Sequence, residues 1–390
     1  MHHGNSKLVL VYAKSGFQVD TRPIYLPDLN LNGGPCHFGN LYRLALAVLI
    51  WVGIVGGAST APCARASETA ATKYAYSERH MGVEVRLVLY SADEPTATCA
   101  AKAVYARFAQ LDHIMSDYRD DSELSRLGAT SPHAMPVPIS ADLFAVLARG
   151  QTLAEQTDGA FDVTVGPLVR LWRRARRSGE LPSTERLAQA QAATGYRHLK
   201  LSTVGNAPHA QLIKPDMRLD LGGIGMGFAV DEGMKLLAKH GINSAMIDAS
   251  GDIAVSGPPP GSPGWRIGIV PLDVKAPPSR YLWLKHAALA TSGDAYQSVE
   301  IDGKRYGHIV DPKTGLGLTD RAAVTIVASD CTTADSLATA LCILGVDKGL
   351  SLAEQLPKVA ALFLTESDGK GQTHESAGWG KLTFDKSSTQ

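Results

Sequence analysis

MRLDLGGIGMGFAVDEGMKLLAKHG, residues 217–241, is the stretch on which the fold class depends. It reads as a strand, a glycine-rich turn and a helix, the order in which a dinucleotide-binding unit begins. Gly223, Gly225 and Gly227 are spaced G-x-G-x-G, however, and no alternating strand–helix series surrounds them. A doubly wound parallel sheet is therefore set aside. Glycines between a strand and a helix let backbone approach a phosphate or a metal ion, and a helix N-terminus favours anions. On these residues alone, a tight, close-packed turn explains them equally well.

Working outward, MGVEVRLVLYS (81–91) alternates as a strand, and residues 94–116 follow as an amphipathic helix. Residues 140–159 form a second helix, opened by Ser140 as its cap and closed near Gly159. Beyond the central stretch come β-rich segments at 244–257, 264–272 and 281–293, a strand at 322–329 and a helix at 331–345. A further helix at 349–357 and a strand at 359–367 complete the pattern. Adjacent strands joined by hairpins, with helices segregated in sequence, predict an α+β fold: a largely antiparallel, mixed sheet with flanking helices. With no long linker, it reads as one two-lobed domain over residues 70–385, followed by a polar, disordered tail at 386–390.

Thirty-eight basic and 38 acidic residues balance, so the chain carries no electrostatic footprint for nucleic acid. The basic run RLWRRARRSGE (170–180) reads as a solvated helix end. Five cysteines show no C-x-x-C spacing, which points to neither a zinc site nor a redox motif. The N-terminal region has a basic Arg43, an apolar run over 44–55 and small residues ending in Ala64-Arg65-Ala66. That is the layout of a signal peptide at 44–66. Pro62, a poor lipobox residue, favours a cleaved signal over a lipid anchor at Cys63. Residues 1–43 form an extension upstream, consistent with an over-extended gene start.

Several segments could carry chemistry. In CTTADSLATAL (331–341), Asp335 and Thr339 lie four apart on one helical face and offer hard oxygen atoms. Thr332 and Asp335 also spell a capping box, the stronger expectation on this segment alone. TDGAFDVTVGPLVRLW (157–172) places Phe161, Asp162 and Thr164 before a Gly-Pro break, as a ligand wall or a turn into a strand. SDYRDDSELSRL (116–127) reads as a solvated helix start beside Tyr118. In ATSGDAYQSVEIDGKRYGHIVDPKTG (290–315), Asp302-Gly303 is the preferred type I′ hairpin pair. Alternation then puts Tyr306, His308 and Val310 on one face, and Asp311-Pro312 ends the pairing. A strand-end histidine is well placed to meet a ligand, although a lone histidine is more often structural.

Taken together and in order, MGVEV, SDYRDDSEL, TDGAFDVTVGPLVRLW, LDLGGIGMGFAVD, DASGDIAVSG, ATSGD, RYGHIVDPKTG and VTIVASDCTTADSLATAL resemble the FAD:protein FMN transferases, the ApbE-like flavin transferases. The resemblance covers about residues 76–364. It implies Mg²⁺-dependent cleavage of the FAD pyrophosphate. FMN is esterified to a threonine or serine of an exported or membrane flavoprotein, and AMP leaves. Carried onto this chain, it implies that Met81 and Tyr118 line the flavin site and that Ala160, Phe161 and Asp162 surround the adenine-side pocket. Asp220 and Met226 would contact FAD. The Gly223 carbonyl, Asp335, the Ala338 carbonyl and Thr339 would hold magnesium, and His308, with Ile309 beside it, would sit at the pyrophosphate as general base. Such acceptors and the export signal together imply a periplasmic location, with association at the inner membrane.

This chain departs from that pattern in three places. Met226 stands where lysine or glutamate is common, DASGDI replaces Asn-Ala-Gly-Gly-Asp-Ile, and SGDAYQSV replaces an SGDYE-type run. These bear on affinity and acceptor choice more than on reaction type. The alternatives are an FAD pyrophosphatase giving FMN and AMP, and a flavin-binding protein without turnover. The mark of the latter would be loss of the metal or base residues, which are retained.

Overall fold

The computed structural model describes residues 71–273, 276–293, 298–367 and 369–385. The expected N-terminal extension, signal peptide and Cys63, Asp294 of the ATSGD motif, and the tail at 386–390 lie outside them. Strands β1 (Thr72–His80) and β2 (Val83–Ser91) form a hairpin on Met81-Gly82, both at positive φ (49° and 83°), the geometry that matches strand twist in a two-residue turn. Helices α1 (Glu94–Met115), α2 (Glu123–Ala129) and α3 (Ala141–Gln156) follow, with β3 (Val137–Pro138) before the last. Asp93, Ser122 and Ser140 cap them, each side-chain oxygen accepting a first-turn N–H.

Next come α4 (Gly166–Ser178), α5 (Thr184–Ala192), β4 (Leu199–Val204), β5 (Ala207–Leu212) and α6 (Gly225–Lys239). The chain continues as β6 (Ser244–Ala249), β7 (Asp252–Val255), β8 (Trp265–Gly268), β9 (Tyr281–Leu284) and β10 (Ala287–Gly293). It ends with β11 (Ser298–Ile301), β12 (Lys304–Gly307), β13 (Ala322–Ala328), α7 (Cys331–Gln355), β14 (Ala360–Ser367) and β15 (Lys370–Glu375). Gly345, at φ 74° and ψ 179°, breaks α7, which accounts for the two helices expected over 331–345 and 349–357.

Eight strands build the main sheet in the order β1-β2-β6-β7-β10-β13-β14-β15, and every pairing in it is antiparallel. The expected α+β class with a largely antiparallel sheet and flanking helices is the observed one. One face of the sheet carries Val85, Leu87 and Leu89 of β2 into a core with Phe108 of α1, Val230 of α6 and Leu337 and Leu341 of α7. On the other face Val255, Leu289, Val327 and Leu362 pack against Trp265, Ile267, Leu282 and Leu284 of the β8–β9 hairpin. Burial on both faces explains why β13 reads as a continuous apolar run rather than an alternating one.

A third, smaller core joins α4 to the β11–β12 hairpin through Leu168, Trp172, Ala175, Ile301, Tyr306 and Val310. Trp172 packs edge-on against Tyr306, with ring centroids 5.4 Å apart, and its Nε1–H donates to the Gly307 carbonyl at 3.0 Å. Asp302 and Gly303 have φ of 52° and 73°, the left-handed pair that their dipeptide predicts.

The strand expected at the start of 217–241 is not a strand. Residues 217–221 make a single parallel bridge, Arg218 to Val165, and the Asp220 N–H donates to the Val163 carbonyl at 2.8 Å. The segment crosses the loop before α4 without joining a sheet. Of the two readings of 157–172, the turn leads into α4 and not into a strand, because Pro167 in a first helical turn gives up an N–H that has no helical acceptor. Trp172→Ala should lower stability by about 3–5 kcal/mol, since it empties a fully buried indole site and leaves the Gly307 carbonyl without its donor. Urea unfolding of the two proteins under identical conditions measures this.

Candidate active site

The N-terminal turns of α6 and α7 meet backbone to backbone. A Cβ on Gly227 would lie 2.4 Å from the Cys331 carbonyl oxygen, so only glycine lets the helices approach this closely. At that distance the Gly227 N–H donates to Asp335 Oδ2 at 3.0 Å. Asp231 of α6 reciprocates by accepting the N–H groups of Cys331 (2.7 Å) and Thr332 (2.8 Å) and the Thr332 hydroxyl. The cap of α7 is Asp330, which accepts the Thr333 N–H at 2.9 Å. The expected Thr332–Asp335 capping box is therefore not formed. Asp330 already occupies the cap, which leaves Asp335 to reach across to α6.

One turn further along α7, Thr339 faces the glycine-rich turn. A Cβ built on Gly223 would stand 3.0 Å from Thr339 Oγ1. The Thr339 hydroxyl shares a 3.1 Å hydrogen bond with Ser292 Oγ on β10. Gly223, in the turn before α6, and Thr339 of α7 are thus brought together, with Asp335 one turn before Thr339 and Ala338 fully buried beside it. Ser292 was missed in the sequence, although it lies within the quoted ATSGD motif.

Asp335 is buried, and burial pushes its carboxyl up to about 7, against the opposing Gly227 N–H and with Asp231 adding to the shift. Burial raises Asp252 well above the carboxylate range, and the carboxyls of Asp335 and Asp248 raise it further. Asp248 is itself raised by burial, against a 3.0 Å hydrogen bond from the Gly251 N–H. Carboxyls sharing a site that disfavours their charge are the setting in which a cation binds in exchange for protons. Among the described residues no group of three or more His, Cys, Asp or Glu is placed to hold a metal. The donors present are one carboxylate with hydroxyl and backbone oxygens. That set fits magnesium, which accepts few protein ligands and keeps positions for water or phosphate.

A second cluster lies at the start of the turn. Asp220 accepts the Gly222 N–H on Oδ1 (2.8 Å) and Arg173 Nη2–H on Oδ2 (3.0 Å). Arg173 also pairs with Asp117. Its guanidinium carbon lies 4.2 Å from the centroid of the Tyr118 ring, which is 79% exposed. Burial and Asp117 raise the Asp220 carboxyl to about 6, against Arg173. The basic run is thus more than a solvated helix end, because Arg173 turns inward to this cluster.

Asp162 is buried with its carboxylate committed: Oδ1 accepts the N–H and hydroxyl of Thr164, both at 2.7 Å, and Oδ2 accepts the Tyr196 N–H at 2.8 Å. Ala160 and Phe161 are buried too, Phe161 within the main core. Next to them is a cavity of about 260 Å³ whose walls include Asp162, Thr194, His198 and Lys313. Met81, at the β1–β2 turn, and Met226, in the first turn of α6, are half-buried against the main core.

His308 follows the last residue of β12 and is half-buried. Its neighbours are fixed on both sides. The Gly307 N–H donates to the Leu318 carbonyl at 2.6 Å, the Leu318 N–H to the Ile309 carbonyl at 2.9 Å, and Val310 bridges Gly317. Tyr306 and Val310, on the face predicted for His308, are buried in the small core around Trp172. Pairing stops at Asp311-Pro312, as expected, and the turn ends at Gly315 with φ 70°.

The pattern that defines the ApbE family matches residues 81–363. A Haemophilus influenzae protein named FAD:protein FMN transferase is 36% identical over 279 residues, covering 70% of this chain and 80% of that protein. A Treponema pallidum protein of the same name is 34% identical over 307 residues, covering 75% and 84%. The crystal structure of the apo flavinyl transferase ApbE of Pseudomonas stutzeri superposes with a TM-score of 0.71 at 31% identity, covering 80% of this chain and 97% of that one. Together with the antiparallel fold, these likenesses establish that the chain belongs to the ApbE family.

Proposed function

We propose that the chain is a Mg²⁺-dependent FAD:protein FMN transferase. The observation that carries this is the packing of α7 on the glycine-rich turn, which sets Thr339 against Gly223 and, one turn earlier, the buried Asp335 against Gly227. The names of the relatives support the flavin chemistry. Asp335, Thr339 and the carbonyls of Gly223 and Ala338 would hold the cation. Magnesium supplies charge neutralisation on the pyrophosphate, whose negative oxygens otherwise repel a hydroxyl nucleophile.

The protein's own residues do the rest. Tyr118 and Met81 bound the flavin, Asp220 and Met226 contact FAD, and Ala160, Phe161 and Asp162 form the wall beside the adenine. His308, with Ile309 at its side, takes the proton of a threonine or serine hydroxyl on the acceptor flavoprotein. That oxygen bonds to the phosphorus of the FMN half, the P–O bond to AMP breaks, and AMP leaves with the bridging oxygen. Imidazole suits this role because it exchanges protons near neutral pH. An export signal at 44–66 would bring the enzyme to the periplasmic side of the inner membrane, where exported redox subunits would be acceptors.

Incubation with FAD, Mg²⁺ and a threonine-bearing acceptor domain should give labelled acceptor and AMP. Free FMN with unlabelled acceptor would instead identify a pyrophosphatase. Asp335→Ala should abolish Mg²⁺-dependent AMP release in a protein that remains folded by circular dichroism. His308→Ala should still bind FAD, with transfer slowed about a hundredfold or more in single-turnover assays.

The raised Asp335 carboxyl also sets a pH dependence. Its folded pKa, about 7, lies above the unfolded value, so its contribution to stability is fully present below the unfolded pKa and is lost as pH rises through about 7. A cation binds the ionised form and must displace a proton below that pH. The rise in melting temperature on adding Mg²⁺ should therefore be larger at pH 8 than at pH 6. Thermal unfolding at the two pH values tests this, and an equal rise would contradict it.

A further inference from the structure

Helix α4 carries Arg170, Arg173, Arg174, Arg176 and Arg177, and Arg173 is tied into the candidate site at three points. Its two terminal nitrogens reach two carboxylates from different parts of the chain: Asp117, just beyond α1, and Asp220, at the start of the glycine-rich turn. Its flat face lies under the Tyr118 ring, 4.2 Å from the centroid. Arg176 is the other cation near that ring.

Tyr118 is the most exposed of the large apolar side chains among the described residues. An exposed ring ordinarily samples several rotamers. Here the cation covers one face and leaves the other open to a planar aromatic partner. Asp117, next in sequence to Tyr118, is pinned by the same guanidinium, so the backbone beneath the ring is fixed together with the ring itself. Asp220 carries the link onward, because its second oxygen accepts the Gly222 N–H.

We propose that Arg173 is a positioning residue for the flavin substrate, holding the Tyr118 ring and the Asp220 carboxylate as one preformed wall of the FAD site. This role rests on the transferase function proposed above. It needs arginine: only a planar fork serves two carboxylates and a ring face at once, whereas lysine presents a single compact charge. Arg173 acts on the wall that receives FAD, so its loss is expected in the KM for FAD rather than in kcat.

Removing the cation outright would leave Asp117 and Asp220 facing each other, so the test uses Arg173→Lys and, separately, Asp117→Asn. Thermal unfolding verifies that each is folded. Arg173→Lys should raise the KM for FAD by roughly tenfold, with kcat within about twofold of wild type. Asp117→Asn should shift KM in the same direction by a smaller factor. Combining Arg173→Lys with Tyr118→Leu should raise KM by less than the product of the two single effects, because the two changes share one ring. An unchanged KM in both single variants, a loss confined to kcat, or full additivity in the double variant would each overturn the role of Arg173. Wild-type protein that fails to label the acceptor would overturn the transferase function instead.

Discussion

The amide of Gly227 and the carboxylate of Asp335 make the contact around which the candidate site is arranged. It exists because α6 and α7 approach to a distance that no residue with a Cβ allows at position 227. Asp231 returns the contact by accepting two N–H groups at the start of α7, so each helix terminus is satisfied by a carboxylate of the other. This reciprocal arrangement sets the rotation of α7, and that rotation turns Thr339 toward Gly223 and Ser292. A rotation of one residue, about 100°, would carry Thr339 away from the glycine turn.

The same packing buries charge. Asp335, Asp252 and Asp248 are each held up by burial, and the carboxyls of Asp335 and Asp248 raise Asp252 further. Burying such groups unpaired opposes folding, and the opposition grows as pH rises and they ionise. The surrounding core accommodates it: α7 is packed against α6, β10 and β13, and the sheet is covered on both faces. A divalent cation held there, as proposed, would relieve the repulsion directly and couple stability to occupancy of the site. The β11–β12 hairpin is held separately, by Trp172 and Tyr306, so the proposed base His308 is positioned from α4 and the proposed cation donors from α7.

Much of this was legible in the residues because the signals are local. Asp302-Gly303 encodes its own positive-φ turn, Ser140 its cap, and the i, i+4 spacing of Asp335 and Thr339 their shared face. The failures were non-local. The T-x-x-D pattern at Thr332 suggested a capping box, but an aspartate two residues earlier took the cap and α6 claimed both side chains. GPLVRLW was open to a strand until the third core supplied a partner for one face of a helix. Arg173 looked like one of several solvated arginines, since its two carboxylates lie 56 and 47 residues away. Ser250, which replaces a common glycine, sits at φ 60° in the β6–β7 turn, so the departure leaves that turn's conformation in place.

Crystals grown with FAD and Mn²⁺ in place of Mg²⁺ test the account most directly, through the anomalous signal of the metal. The expected result is a peak within bonding distance of an Asp335 carboxylate oxygen and Thr339 Oγ1, with the Gly223 carbonyl as a further ligand and the FAD pyrophosphate on the open side. Fully bound FAD with no peak at those oxygens, or a peak held by other side chains, would contradict it.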